Sequence, residues 1–285
     1  MIDAEEQSVA TRQHVHRMWA AVAPQWAKHA DDVDAAVEVI TRRLVELIAP
    51  RPGQRILELA CGPGGLGLAI APLVAPGGHV VLSDVVPEMV SAAAARAAAW
   101  GLTNVSTQRL DLERIDCPDA DFDAVLCREG LMFAVRPDAA CREIRRVLRP
   151  GGRLALSVWG ARADNPWLGL LADAVEPEVG HPVPPPGMPG PFALADPTQM
   201  AELLTDAGLT DVTVNALDLT VNEGDFETYW ALRTALAGPL TALFARMAPD
   251  ALQRVRDRVR ASLAPYDTPD GLVVTRRCLL ATASR

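Results

Sequence analysis

A doubly wound α/β fold is what this sequence predicts, and three observations predict it. Short apolar runs alternate with helical patterns from Arg55 to Trp159. That rhythm builds a mostly parallel sheet covered on both faces. The first run, Arg55-Ile56-Leu57-Glu58-Leu59-Ala60, ends in the glycine cluster Cys61-Gly62-Pro63-Gly64-Gly65, as a buried strand feeding a tight turn does. The second run closes on an acid, Asp84. Ligands of open α/β sheets sit at such C-terminal strand ends, where the strand order reverses.

From the N-terminus, residues 8–28 read as a helix with Ser8 as N-cap and Trp19, Val22 and Trp26 on helical spacing. A second helix over 34–49 carries Val37, Ile40, Leu44 and Leu47 along one stripe and stops before Pro50. Further strands are expected near 79–84, 105–110, 122–127 and 153–159, and helices near 65–75, 87–99 and 137–148. Pro87 and Pro137 stand where a first helical turn tolerates proline. Beyond Trp159 the rhythm breaks, and the proline-rich run His181–Pro191 excludes regular structure. A capped helix returns with Asp196, Pro197 and the stop at Gly208, then an alternating strand from Val212 to Val221. Two or three helices fill 225–264, punctuated by Gly238-Pro239 and Pro249, before a last strand from Leu272 to Ala281.

Two segments, 161–191 and 222–270, are too long for simple connections and are assigned to a cap over the ligand edge. The expected organisation is N-terminal helices forming a lid (1–50), an α/β core (51–160), a cap insertion (161–191), a core helix and strand (192–221), a helical cap insertion (222–270) and the final strand (271–285).

Composition excludes several function classes. A net charge of -9 and a pI near 5.1 argue against a nucleic-acid partner, because that affinity rests on neutralising phosphates. The basic run Arg142–Arg149 reads as a solvated helix face. The polar start Met1–Glu6 is no signal peptide, and no apolar stretch approaches the ~20 residues of a membrane span. Five cysteines without a C-x-x-C pair predict reduced thiols, no zinc site and a cytoplasmic location. The single lysine, Lys28, has no Gly-Lys-Ser/Thr around it, which excludes a P-loop. His14 and His16 sit two apart and read as surface histidines rather than metal ligands.

The glycine loop alone leaves two cofactors open. Gly62-x-Gly64-x-x-Gly67 matches a dinucleotide fingerprint letter for letter, and Asp84 suits ribose hydroxyls of either cofactor. Three later stretches of the chain separate them: Leu110-Asp111-Leu112-Glu113 after the third strand, Phe122–Cys127 as the fourth, then Arg146-Val147-Leu148-Arg149-Pro150-Gly151-Gly152. With these pieces in this order, the chain resembles the class I S-adenosylmethionine (SAM)-dependent methyltransferases. It is similar in particular to the ubiquinone/menaquinone-biosynthesis subgroup, over roughly 19–160.

The resemblance implies a seven-stranded sheet with an antiparallel last strand, SAM as cofactor and S-adenosylhomocysteine (SAH) as product. It also implies roles for matching positions. Ala60, Cys61, Gly62 and Gly64 pass the methionine part of SAM, with Glu58 supporting the loop. Asp84 accepts from the ribose hydroxyls, Val85 and Met89 pack on the adenine, and Asp111 beside Leu112 meets its amino group. Cys127 lines the sulfonium, and Trp26 stands where related enzymes close an aromatic over the cofactor.

Methyl transfer needs alignment more than any one side chain, so the acceptor end is less legible. Candidate bases are Glu129, His29, His181 and Tyr229, each with the alternative of an exposed polar residue, which is the favoured reading for His181 in its proline-rich loop. Glu129 departs from the resemblance, since similar sequences carry small or apolar residues there; it is either a base or an ion-pair partner of Arg128 or a cap arginine. The apolar residues of the cap segments, Trp167, Leu170, Met188, Phe192, Phe226, Trp230, Leu243, Phe244 and Met247, suggest a small, hydrophobic acceptor methylated on oxygen, carbon or nitrogen. A SAM-binding protein without methyl transfer and an NAD-dependent oxidoreductase are the competing readings. The Tyr-x-x-x-Lys pair of short-chain dehydrogenases is absent at Tyr229 and Tyr266. Oligomeric state stays open, a homodimer included.

Overall fold

A computed structural model describes residues 4–285 of the chain, so the start of the polar N-terminal stretch lies outside the described residues. The chain opens with α1 (Ala4–Lys28), α2 (Ala30–Ala36) and α3 (Glu38–Ile48). Because α1 is already helical at Ala4, Ser8 is an interior residue and not the expected N-cap. The expected helix over 34–49 is divided at Val37, whose φ of -123° and ψ of 18° leave the helical region. The stripe Ile40, Leu44 and Ile48 buries α3 on the sheet.

The α/β core runs β1 (Arg55–Leu59), α4 (Gly65–Val74), β2 (His79–Asp84), α5 (Pro87–Ala99), β3 (Val105–Arg109), β4 (Phe122–Arg128), α6 (Pro137–Val147) and β5 (Leu148–Trp159). These match the sequence reading to within a few residues at each end. A difference comes at α7 (Pro166–Val179), a 14-residue helix in a segment read only as a cap insertion. Three prolines near it hid a pattern that Trp167, Leu171 and Val175 carry on one buried stripe. Then come α8 (Pro197–Asp206), β6 (Thr210–Asn222), α9 (Phe226–Leu236), α10 (Pro239–Phe244), α11 (Pro249–Leu263), β7 (Asp267–Thr268) and β8 (Gly271–Ser284). Asp196 caps α8 as expected, its side chain accepting from the amides of Thr198 and Gln199.

The sheet order is β3-β2-β1-β4-β5-β8-β6, with β7 pairing β8 outside this path. Strands β1 to β5 pair in parallel, and β8 runs antiparallel to both β5 and β6. The seven strands of the main path and the reversed last strand are those the resemblance implied. The order reverses between β1 and β4, paired from Ile56↔Ala124 to Leu59↔Cys127. Their C-terminal ends therefore open a crevice, where ligands of such sheets bind. One flank of the crevice is α1, which contacts α5, α9 and α10. No helix among the described residues is long and apolar enough to cross a membrane.

Candidate functional site

The loop after β1 is held by backbone amides and two buried acids. The Cys61 amide donates to the Ser83 carbonyl at 2.8 Å and the Gly62 amide to Asp84 Oδ2 at 2.9 Å. Asp84 Oδ1 accepts from the Val86 amide at 2.9 Å, so one carboxylate ties the β1 and β2 loops together. Glu58 Oε2 accepts from the Gly67 amide in the first turn of α4 at 2.8 Å. Burial pushes the Glu58 carboxyl up to about 8, against the pull of Arg128 and the Gly67 amide. Burial also raises Asp84, while the amides of Val86, Gly62 and Val85 draw it back down.

Two glycines of this loop do different work. At Gly62, φ is +52° and nothing lies within 4 Å of the position a Cβ would take, so the backbone faces open space. At Gly64, φ is +88° and a Cβ would meet Leu82 Cδ1 at 2.9 Å. Gly64 therefore serves the packing of the turn on β2 and α5, and it does not reach the cavity wall as expected.

A single continuous cavity starts at this loop and extends to residues of α7 and α9. Glu58, Ala60, Cys61, Gly62, Asp84, Val85, Met89, Asp111 and Leu112 all line it, as does Trp26. Trp26 Nε1 donates to the Leu236 carbonyl at 3.2 Å, which joins α1 to α9, and its ring meets Trp19 edge-on at 5.6 Å. Asp111 accepts from the Glu113 amide at 2.9 Å, and Glu113 Oε2 takes Arg12 Nη2 of α1 at 2.5 Å. The other Glu113 oxygen holds the amides of Val135 and Arg136 at 2.7 and 3.1 Å. Arg12, Glu113 and His16 are site residues that sequence reasoning missed. His16 is half-buried in the cavity wall, and burial lowers its pKa, so it is not the surface histidine expected.

At the far side of the β4 loop, Glu129 lines the cavity with a positive φ of +50°. Its Oε1 accepts from Ser157 Oγ at 2.8 Å, and its Oε2 stands 3.9 Å from Arg128 Nε. Burial raises its pKa, opposed by Arg128, the Ser157 hydroxyl and Arg276. Arg128 itself is paired with Asp34 of α2 at 3.0 Å. Three other expectations are corrected. Cys127 is buried behind the wall, with its thiol pushed up to about 12, and Gly130 packs against its Sγ. His29 stays outside the cavity and pairs with Asp32 at 2.9 Å. Tyr229 is buried and donates to the Trp167 carbonyl at 2.6 Å. His181 is exposed in its proline-rich loop, in line with its favoured reading as an exposed polar residue. Of the nine apolar residues named from sequence, Trp167 and Phe192 reach the cavity, Leu170, Phe226, Trp230, Leu243, Phe244 and Met247 pack in the hydrophobic core, and Met188 is half-buried.

The charge run on α6 is tied down rather than free: Arg146 pairs with Glu143 and Asp119, and Arg149 with Asp123. Among the described residues no group of His, Cys, Asp or Glu could hold a metal ion, and all five cysteines are free thiols.

Comparison with known proteins agrees with this geometry. A family model described as a methyltransferase domain matches residues 56–152. A ubiquinone/menaquinone biosynthesis C-methyltransferase of Ectopseudomonas mendocina is 32% identical over 56% of this chain. The match spans 62% of that relative's own length. An uncharacterized protein of Mycobacterium bovis is 31% identical over 77% of this chain and 74% of its own. In fold, the YcgJ protein of Bacillus subtilis superposes with a TM-score of 0.59 at 18% identity, covering 86% of this chain and 97% of that one. The chain belongs to the class I SAM-dependent methyltransferases, the family whose methyl donor is SAM.

Proposed function

We propose that this chain moves the methyl group of SAM to a small, largely apolar acceptor held under its cap. The observation that carries the reading is the cavity's two unlike ends. One end is the amide-tied loop with Asp84 and Asp111; the other is walled by Trp159, Trp167, Phe192, Leu232 and Leu236. The open space over Gly62 is a cradle that a Cβ would begin to fill, which fits a ligand passing close to backbone.

In this reading Ala60, Cys61 and Gly62 bound the methionine part, with Glu58 supporting the turn through Gly67. Asp84 faces the ribose hydroxyls with the lone pairs that Gly62 and Val86 leave over. Val85 and Met89 cover one side of the adenine, Asp111 beside Leu112 meets its amino group, and Trp26 closes the α1 side. When bound, SAM would supply an electrophilic methyl carbon on a sulfur able to keep the bonding pair as SAH. The chain's own part is alignment and exclusion of water, for which the lid helix α1 and the cap are placed. Glu129 is the base candidate. Its carboxyl is buried, has its pKa raised and lies in the wall between the two ends, so it would take the proton of a hydroxyl, amine or acidic carbon acceptor.

The test is to incubate the protein with SAM and a panel of apolar metabolites and follow the mass of both acceptor and cofactor. A product heavier by one methylene, formed together with SAH, is the expected result. Tight SAM binding with no product from any acceptor would instead favour a SAM-binding protein of other chemistry.

A further inference from the structure

At the acceptor end of the cavity three buried charges meet from three directions. Glu223 directly follows β6, Arg233 lies on α9 and Arg276 on β8. Their exposures are 6%, 8% and 2%. Glu223 Oε2 accepts from Arg233 Nη2 at 3.0 Å, and its Oε1 accepts from Arg276 Nη2. Both guanidiniums also stand against the Trp167 ring, 5.0 and 4.4 Å from its centroid. Trp167 is in turn fixed by its Nε1 bond to Asn165 Oδ1 at 3.2 Å. Arg233, Arg276 and Trp167 all line the cavity.

The group is unbalanced. Two guanidiniums share one carboxylate, and among the described residues Glu129 makes no ion pair with either, being bonded to Ser157 and near Arg128. Three side-chain atoms among the described residues are buried without a hydrogen-bond partner, and two of them are the Nε atoms of Arg233 and Arg276. Arg233 forms its one side-chain hydrogen bond through Nη2, leaving Nη1 without a partner among the described residues. Burial lowers the Arg233 pKa and Arg276 adds to the fall, while Glu223 opposes it. A buried unsatisfied donor costs about 1–3 kcal/mol, more when charged. The two Nε atoms are shielded, so the donor left over for a ligand is Nη1 of Arg233, on a side chain that lines the cavity.

We propose that the acceptor is a monocarboxylic acid with an apolar body, anchored through its carboxylate by Arg233 and Arg276. The inference rests on the methyltransferase reading of the cavity and names its substrate class. Guanidinium forks match a planar carboxylate in two-point contact. One negative charge completes the set of two arginines and Glu223, whereas a phosphate dianion would overshoot it. The apolar body lies against Phe192, Leu232 and Leu236. The anchored carboxylate is not the methylated atom, because guanidinium contact withdraws the electron density that attack requires. The methyl goes to a second nucleophile on the same molecule, toward Glu129.

The test is calorimetric titration of the SAH-loaded protein with octanoate and with 3-phenylpropionate, each compared with its primary amide. At least one acid is expected to bind about tenfold or more tightly than its amide, as charge-assisted hydrogen bonds imply. Arg233→Gln should narrow that preference to about threefold or less while SAH affinity stays unchanged. Glu223→Gln keeps an acceptor for an arginine but removes the competing charge, so it should tighten acid binding; it also decides the matter if Arg233→Gln does not fold. Equal binding of acid and amide, no binding of either acid, or an acid preference that survives Arg233→Gln overturns the proposal. So does weaker acid binding in Glu223→Gln. Failure of SAH to bind counts against the cofactor reading instead, and the acid–amide comparison is then read on the unloaded protein.

Discussion

The two ends of the cavity are built by different means. The glycine loop is fastened by main-chain amides that reach acids on neighbouring strands, all within the stretch from Glu58 to Val86. The cap is fastened by side chains from distant elements. Glu178 on α7 takes Arg254 and Arg258 of α11, Trp230 of α9 meets Phe244 of α10 at 5.9 Å, and Tyr229 reaches the Trp167 carbonyl. Exposed ion pairs of that kind contribute little each, whereas buried amide–carboxylate bonds are costly to break. The rigid end suits a ligand every family member shares; the looser end suits a ligand that differs among them.

That contrast breaks most visibly at Asp84. The residue ends its strand at the ligand edge, a place from which sequence alone predicts little effect on folding, yet both its oxygens hold loop amides. Asp84→Ala should therefore cost about 2–6 kcal/mol of stability, two stranded amides at roughly 1–3 each, besides weakening SAM. Urea unfolding checks it, and a midpoint like wild type would show the loop to be held by something else.

Glu129→Gln sharpens the comparison from the cap side. The variant keeps shape and a hydrogen bond to Ser157 while removing the basic oxygen. Turnover should fall ~10²-fold with SAM affinity near normal. A change within a few-fold would return Glu129 to an ion-pair role beside Arg128.

Glu58 gives a pH signature to the rigid end. Its carboxyl is raised from 4.5 to about 8 in the folded cavity, so the folded state holds the proton more tightly than the unfolded chain. Its contribution is full below about 4.5 and is lost as pH rises through about 8. In the cofactor-free protein, Glu58→Gln should thus gain on wild type in Tm as pH goes from about 5 to about 8, since glutamine still accepts from Gly67. A difference in Tm that does not vary with pH would contradict this.

The smallest effect is expected where the ends are joined. Trp26→Phe keeps the ring and loses the bond to Leu236, worth about 0.5–1.5 kcal/mol. Hydrogen exchange should speed up at the α1–α9 junction and not in β1 or β4. Uniform change across the sheet would mean that Trp26 belongs to the core rather than to a lid.

Legibility in the sequence divides along the same line. The order of strands and helices, the glycine turn and Asp84 are local patterns, and periodicity with strand-end acids exposes them. Cys127 and Arg128 are neighbours in β4 and face opposite ways, Cys127 inward and Arg128 to the cavity, while Glu129, past the strand end, reaches the cavity through its positive φ. His29 was misplaced because the α1–α2 turn hands it to Asp32. His16 reads from the sequence as a surface histidine and Arg12 carries no motif; the docking of α1 beside Glu113 makes both wall residues. Arg233 and Arg276 carried no motif at all, being brought together by the packing of α9 on β8.

The most direct test of the account is calorimetry of the wild-type protein and Asp84→Asn with SAM, SAH and NAD in parallel. The account predicts that SAM and SAH bind once per chain to wild type, that NAD does not, and that the Asp84→Asn protein, still folded, binds SAM about tenfold or more weakly. NAD binding in place of SAM, or unchanged SAM affinity in the folded Asp84→Asn protein, would contradict it.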